Sequence, residues 1–393
     1  MTPVGRRSIS ASILVLATVS VGCLRPVAEV GPPPAGLLVS HPDKWAELIP
    51  VGFPLPPTAS DEPQPSLAEL GRHLFYDRRL SGNETQSCSS CHQQQHAFTD
   101  GLAQAIGSTG ERHHRSSMTL TNVAYNSSFT WANGALVRME DQLGIPLFSE
   151  HPIEMGVKGR EELIFARLRT EPRYRALTAT AFPSEPDPIN LANVKRALTA
   201  FVGTLISANS SYDRVVFKGD SAAMSPEAWR GMSLFFSERV GCSQCHQGFN
   251  FSGPVRTHDF TETESTFHNT ALYNVDGKGS YPEEDRGLLG MTGAPDDMGR
   301  FRAPTLRNIA VTAPYMHDGS VPDLAAVIEH YSAGGRSGKD NPARSALIRS
   351  FSLNDHEKKE LIAFLQALTD EQFLSNPRFA DPWISMSVSA HNP

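Results

Sequence analysis

The sequence predicts a mainly helical, loop-rich fold in which two small helical domains are related by internal duplication. Apolar residues recur at helical spacing in several segments, whereas no segment shows a convincing sheet pattern. The pattern Gly-x-x-Leu-Phe-aromatic also occurs twice, at residues 71–76 and at residues 231–236. A segment repeated in this way indicates one supersecondary unit that was built twice.

Caps and apolar spacing place the individual helices. The first is expected to begin after Ser66, and Ser225 with Pro226 provides an N-cap and a first helical residue for the helix of the second repeat. Further helices are expected over 161–169, 191–207, 323–331 and 355–368. Residues 100–160 and 253–297 are expected to be mostly loop.

Each repeat leads into a Cys-x-x-Cys-His motif. This motif is typical of a covalently attached c-type haem, because two thiols bond the porphyrin and the adjacent imidazole reaches the iron. The sequence therefore predicts two cytochrome c-like haem domains. The cofactor-binding residues are expected to be Cys88, Cys91, His92, Cys242, Cys245 and His246.

A zinc half-site and a thioredoxin-like redox pair are the alternatives for these motifs. Structural zinc usually takes four ligands from paired knuckles with a much shorter gap than the one between these motifs. A redox pair does not need the histidine that follows in both motifs.

Composition excludes other classes. The 393 residues carry a net charge of −7 and no basic run, which argues against nucleic-acid binding. Four of the five cysteines belong to the two motifs and the fifth is Cys23, so no pair remains for a disulfide.

The N-terminus is typical of an export signal. Arg6 and Arg7 precede an apolar run over 13–19 that is too short to span a membrane. Residues 21–23 match a lipoprotein cleavage site, so we expect a periplasmic protein, with either a lipid anchor on Cys23 or a plain cleaved signal. The expected segments are 1–23 signal, 24–65 proline-rich linker or arm, 66–215 N-terminal haem domain, 216–376 C-terminal haem domain and 377–393 tail.

Several separated motifs resemble, in order, the bacterial dihaem cytochrome c peroxidase/MauG family. The resemblance runs from about residue 67 to about residue 368, and segments 115–126, 130–133 and 151–156 are most similar to the MbnH branch. The other segments that carry it are 106–108, 302–308 and 313–319.

The resemblance implies an open first haem. Family peroxidases place a distal histidine where this chain has Ser108, so the first haem is expected to be five-coordinate or water-bound. His96, His113 and His114 are nearby alternatives for a distal role, and each can equally be a loop residue.

Glu154 matches the family's distal acid, with Gln142 as its amide neighbour. A carboxylate that moves a proton between the two oxygens of peroxide promotes cleavage of the O–O bond. A structural salt bridge is the alternative role for Glu154.

The second haem is expected to carry Tyr331 as its axial ligand, where peroxidases have methionine. A phenolate stabilises oxidised iron, whereas a thioether favours reduced iron. Tyr331 as a packed aromatic is the alternative, and His330 and Met316 are the rival ligands. The resemblance places Trp131 between the haems, where it can relay charge or simply fill the core.

A calcium ion between the domains is also implied. The backbone carbonyls of Thr312 and Pro314 match two of its ligands, and the third position falls at Ser116. Oxygen donors of this kind suit calcium.

The implied activity is that of a dihaem peroxidase-type oxidoreductase. Hydrogen peroxide would generate a bis-Fe(IV)-type state that oxidises a partner protein. Val240 stands where MauG has its exit tryptophan, so methylamine dehydrogenase is not the expected partner. The MbnH branch implies oxidation of a tryptophan to kynurenine on a copper-binding, MbnP-like partner. Trp45, Trp229 and Trp383 are the candidates for the exit residue.

Two other functions stay open. One is a peroxidase that draws electrons from a small cytochrome, which requires a methionine-ligated second haem. The other is a non-enzymatic electron carrier, which requires two fully ligated irons and no distal acid.

Overall fold

The computed structural model describes residues 41–57, 63–253, 255–261, 266–336 and 341–384, which are mainly helical as expected. In these ranges the paired strands are two residues long, β1 (Phe267–His268) and β2 (Phe301–Arg302), and they run antiparallel. The α-helices are α1 (Trp45–Leu48), α2 (Pro65–Tyr76), α3 (Cys88–Cys91), α4 (Met139–Gln142), α5 (Gly144–Phe148), α6 (Glu161–Arg169), α7 (Pro172–Ala181), α8 (Leu191–Gly203), α9 (Ser211–Lys218), α10 (Pro226–Phe235), α11 (Leu289–Thr292), α12 (Leu324–Ser332), α13 (Asp355–Gln366) and α14 (Glu371–Ser375).

The helix that precedes each Cys-x-x-Cys-His motif crosses a later helix at a glycine. A Cβ atom on Gly71 of α2 would lie 1.9 Å from the carbonyl oxygen of Ala197 in α8. A Cβ atom on Gly231 of α10 would lie 1.9 Å from the carbonyl oxygen of Glu360 in α13. Because only glycine permits such an approach, the two crossings are packed backbone to backbone in the same way.

Equivalent aromatic side chains fill the two hydrophobic cores. The rings of Phe75 and Phe201 lie 5.2 Å apart in the first core. The rings of Phe235 and Phe364 also lie 5.2 Å apart in the second. The matched crossings and matched cores confirm two cytochrome c-like regions in one mainly helical fold.

A further repeat, Thr-Leu-x-Asn, holds the chain after each of the later helices. Asn122 and Asn308 both adopt left-handed backbone angles, with φ of 54° and 59°. The side-chain oxygen of Asn122 accepts a hydrogen bond of 2.7 Å from the backbone N–H of Ser207. That of Asn308 accepts one of 2.7 Å from the N–H of Asp370. Each asparagine therefore fixes the segment that leaves α8 or α13.

The described part of the proline-rich segment packs against the protein. Trp45, Ile49 and Phe53 are buried in a third apolar cluster together with Tyr125. The hydroxyl group of Tyr125 donates to the carbonyl of Pro54 at 2.7 Å. Residues 41–57 therefore resemble an arm rather than a free linker.

Most predicted helix boundaries agree with the structure. The helix predicted over 161–169 is α6, and Ser225 caps α10 by accepting from the N–H of Ala228. The helix predicted over 191–207 was too long: α8 ends at Gly203, because the following residues turn to meet Asn122.

The N-terminal signal and Cys23 lie outside the described residues, and the domain boundaries stay predictions. Among the described residues, none of the helices has both the length and the apolar character needed to cross a bilayer.

The glycine crossing gives a direct test of this packing. Gly71→Ala should destabilise the protein by about 1–3 kcal/mol or more, because the new methyl group meets a backbone carbonyl that is held within a helix. Gly203→Ala is the matched control, since a Cβ there contacts nothing within 4 Å and helical alanine is favoured over glycine by about 1 kcal/mol. Thermal unfolding followed by circular dichroism should show a fall in Tm for the first variant and none for the second. Equal Tm values would contradict the crossing.

Candidate haem sites

The first Cys-x-x-Cys segment forms one short helix, α3. The side chains of Ser87 and Ser90 cap it reciprocally, so the turn that carries both thiols is fixed at its start. Burial raises the pKa of Cys88 to about 12 and that of Cys91 to about 12. In the second motif, Gly241 with φ of 68° precedes a 3-10 turn over Cys242–Gln244.

The four motif thiols are free in the folded chain. Burial raises the pKa of Cys88, Cys91, Cys242 and Cys245, which favours the neutral thiol. No group of three or more His, Cys, Asp or Glu side chains that could hold a metal ion occurs within the described ranges.

Both motif histidines are held in the same tautomer. Nδ1 of His92 lies 2.8 Å from the carbonyl oxygen of Phe98. Nδ1 of His246 lies 3.1 Å from the carbonyl oxygens of both Phe251 and Pro304. Because a carbonyl oxygen can only accept, Nδ1 carries the proton and the lone pair of Nε2 is left to bind iron.

Burial also keeps the two imidazoles neutral. It lowers the pKa of His246 to about 4 and lowers that of His92. A neutral imidazole is the form that ligates a metal. The accepting carbonyls are aimed by left-handed residues, since φ is 62° at Phe98 and 47° at Phe251. No pattern in the sequence predicts the left-handed backbone conformations of Phe98 and Phe251.

A cavity adjoins the second motif. Cys242, Cys245 and His246 line it together with Tyr331 of α12 and Met316. Burial and the neighbouring thiols raise the pKa of Tyr331 well above its usual value. The structure therefore brings Tyr331 to the same cavity as the motif.

His330, the other candidate axial ligand from α12, contacts a backbone carbonyl. Its Nε2 lies 3.0 Å from the carbonyl oxygen of Thr270. Met316 remains a rival by position, since it lines the cavity with Tyr331.

Arg302 places a buried cation in the cavity wall. Its Nε donates to the carbonyl of Thr130 at 3.3 Å, and burial lowers its pKa to about 10. It forms no ion pair with a carboxylate of the described residues. A buried cation needs a compensating anion, and the propionate groups of a haem supply carboxylates. Together with the thiols and the imidazole, this cation makes the cavity fit a haem.

Sequence reasoning did not assign Arg302 a role, although its segment was singled out. Residues 302–308 served only as one of the motifs that resemble the family. Only the fold shows that this arginine is buried beside the second motif.

Trp131 lines the cavity of the second motif, and so do Thr99 and Asp100 from the loop that follows the first motif. Its indole Nε1 donates to the carbonyl of Ser116 at 3.0 Å. A position of this indole between two bound haems stays a prediction.

Glu154 faces the first motif. The loop that carries it is fixed to the neighbouring loop, because the N–H of Ser108 donates to the carbonyl of Glu154 at 2.8 Å. A Cβ atom on Gly107 would lie 1.9 Å from the carbonyl oxygen of Ile153. Burial raises the pKa of Glu154 to about 7, and 30% of its side chain stays exposed. A carboxyl group of this kind can hold or release a proton near neutral pH.

The salt-bridge alternative for Glu154 finds no lysine or arginine partner among the described residues. Nε2 of His113 lies 3.9 Å from Glu154 Oε1. Gln142, on α4, makes no hydrogen bond to Glu154 in the part of the chain that the structure describes. Of the other histidines, His114 is exposed and His96 ends a 3-10 turn.

The residues proposed for calcium lie near one another. Ser116, Thr312 and Pro314 line the same cavity. The hydroxyl group of Ser116 donates to the carbonyls of Met316 and His317, at 3.2 and 3.4 Å. The calcium ion stays a prediction.

Comparisons with known proteins agree with this architecture. The family described as di-haem cytochrome c peroxidase matches residues 65–222, and a RoxA-like, cytochrome c-like family matches residues 300–333. The methylamine utilization protein MauG of Methylorubrum extorquens is 32% identical over 78% of this chain and 79% of its own length. The cytochrome-c peroxidase IdrP1 of Denitromonas iodatirespirans is 33% identical over 82% of this chain and 87% of its own.

A solved structure shares the whole fold. It is described as a MauG-like protein associated with microbial copper homeostasis. Its TM-score is 0.82 at 44% identity, and the match covers 86% of this chain and 99% of that one. The two motif histidines are held alike, and relatives at least 32% identical match more than three quarters of the chain. The chain therefore belongs to the dihaem cytochrome c peroxidase/MauG family of oxidoreductases, which carry two c-type haems.

Proposed function

We propose that this chain uses hydrogen peroxide to oxidise a side chain of a partner protein, a tryptophan that is converted to kynurenine on a copper-binding, MbnP-like protein. Two molecules of hydrogen peroxide supply the four oxidising equivalents of this conversion, which adds two oxygen atoms to the indole, and hydrolysis then releases one ring carbon as formate. The bound haems supply the iron that takes up the two oxidising equivalents of each peroxide. The chain's own residues hold the irons, move protons and conduct charge.

The position of Tyr331 carries this proposal. It lines one cavity with His246 and both cysteines of the second motif. A phenol oxygen from Tyr331 would stabilise oxidised iron in a haem held there by His246, and such a site would suit an enzyme that stores oxidising power for a slow partner. A site with a thioether would suit fast electron supply from a small cytochrome.

At the first motif, the small side chain of Ser108 would leave room beside a bound haem, and Glu154 would supply an acid–base group. As a carboxylate, Glu154 would accept a proton from one oxygen of hydrogen peroxide. As an acid, it would then return that proton to the other oxygen, which leaves as water. Its pKa of about 7 suits both roles at neutral pH.

Trp131 is suited to conduct charge between the two haem regions. Its Nε1–H is satisfied by the carbonyl of Ser116, which fixes the ring. The cation of Arg302 next to it would disfavour loss of an electron from the indole unless a propionate balances the charge.

The three candidate exit residues differ in their surroundings, which favours one of them. Trp383 lies between the guanidinium groups of Arg79 and Arg173, 4.7 and 4.9 Å from its ring, and these cations disfavour an oxidised indole. Trp45 is buried in the third cluster. Trp229 is partly exposed on α10 and packs against the core of the second haem domain, so it is the favoured exit.

The copper-binding partner is inferred from the 44%-identical structure associated with copper homeostasis. Peroxidase activity with a small cytochrome is the second candidate. Met316 favours it, because this thioether lines the same cavity as Tyr331.

Replacing Glu154 tests the proton step. In the native protein, the rate constant for reaction with peroxide should rise with pH through about 7 and then level off, because the carboxylate is the reactive form. Glu154→Gln should lower this rate constant by about 10²–10⁴-fold and remove the pH dependence. Stopped-flow absorbance measures both. Glu150→Gln, at an exposed carboxylate paired with Lys158, is the control and should react like the native protein. Near-native kinetics of Glu154→Gln would exclude Glu154 from the step.

Replacing Tyr331 tests the second site. Tyr331→Phe should keep both haems attached and shorten the lifetime of the peroxide-oxidised protein, because the ligand oxygen is lost. Tyr315→Phe removes the same atom from another tyrosine of the cavity and should leave that lifetime unchanged. An unchanged spectrum and lifetime in Tyr331→Phe would identify Met316 as the better candidate ligand.

The activity itself is tested by incubating the dihaem protein with peroxide and a copper-binding protein that exposes a tryptophan. Peptide mass spectrometry should find an oxidised tryptophan on that protein, and the yield should fall in Tyr331→Phe. Peroxide consumption that depends on a reduced small cytochrome, with the partner unmodified, would instead establish the peroxidase.

A further inference from the structure

His113 lies at the end of a tight turn beside Glu154. The turn is closed by the N–H of His113, which donates to the carbonyl of Ala105 at 2.8 Å, and by an antiparallel bridge between Ile106 and Arg112. Its ring is mostly covered, with 19% of the side chain exposed, whereas the next residue, His114, is exposed. His113 therefore reaches from solvent toward the interior.

The turn is fixed against the loop that carries Glu154. The carboxylate of Glu111 accepts from the N–H of Ile153 at 2.8 Å. The N–H of Ser108 donates to the carbonyl of Glu154. These contacts hold His113 Nε2 at 3.9 Å from Glu154 Oε1. A small rotation of either side chain, or one water molecule, spans that distance.

Turnover needs protons at this place. Reduction of one hydrogen peroxide to two waters takes up two electrons and two protons. The first water forms with the proton that Glu154 passes between the two oxygens, so it draws none from solvent. The second water takes up both protons, and its electrons come from the oxidised partner side chain.

Burial acts in opposite directions on the two groups. It lowers the pKa of His113 and raises that of Glu154 to about 7, so the carboxylate becomes the better proton acceptor and can take a proton from the imidazolium. The other charged groups that act on His113 are His114, which lowers its pKa, and Asp100 and Glu111, which raise it.

Building on the proposed function, we propose that His113 is the proton-transfer partner of Glu154 and carries solvent protons to its carboxyl group while the oxidised enzyme returns to its resting state. His113 acts through Glu154 and does not itself meet peroxide. The peroxide phase therefore depends on Glu154, whereas the return phase depends on both Glu154 and His113.

The experiment separates these phases by stopped flow. The dihaem protein is mixed first with peroxide and then with excess ferrocyanide as electron donor, between pH 5.5 and 8.5. His113→Gln should leave the peroxide phase within about twofold of the native rate and slow the return phase by about tenfold or more, at the low end of acid–base effects. His114→Gln, the same change at the exposed neighbour, should alter neither phase.

A second variant distinguishes proton transfer from a structural role. In His113→Ala, the return phase should speed up with phosphate concentration, because buffer replaces the lost donor, while the native rate should not respond. Haem content and Tm confirm that the variants are folded. Native return rates in His113→Gln, or slow rates that phosphate does not restore in His113→Ala, would overturn the proposal. A native protein that shows no peroxide phase would instead overturn the proposed function.

Discussion

The hydrogen bond from each motif histidine to a backbone carbonyl is the constraint on which the chemistry depends. In both halves Nδ1 donates to the carbonyl of a buried phenylalanine, Phe98 or Phe251. The duplicated core holds these phenylalanines against the helix crossings at Gly71 and Gly231. The fold thus prepares two equivalent nitrogen ligands, so the two haem regions differ in the other side chains that surround each motif.

The side chains around the two motifs differ in their chemistry. The second motif shares its cavity with a phenol and a buried guanidinium group, those of Tyr331 and Arg302. Near the first motif lies the carboxyl group of Glu154, whose pKa burial raises to about 7. Under the proposed function, one region would hold an oxidised metal and the other would move protons.

The sequence predicted what depends on local signals. Ser225 and Pro226 located the start of α10, and the repeated Gly-x-x-Leu-Phe segments located both haem domains. Two helices with equally good signals were missed: Pro172 begins α7, and Ser210 with Asp213 forms a capping box for α9. The Thr-Leu-x-Asn repeat was also missed, although segments 115–126 and 302–308, which contain its two copies, were each identified. Features set by long-range packing, such as the burial of Arg302 and the approach of His113 to Glu154, have no local signal.

Low-temperature electron paramagnetic resonance of the untreated diferric protein tests whether the two irons differ. We expect one high-spin signal from an iron open or water-bound on its distal side, together with one low-spin signal from an iron with histidine and tyrosinate. Two low-spin irons with nitrogen or sulfur on both faces would contradict this expectation.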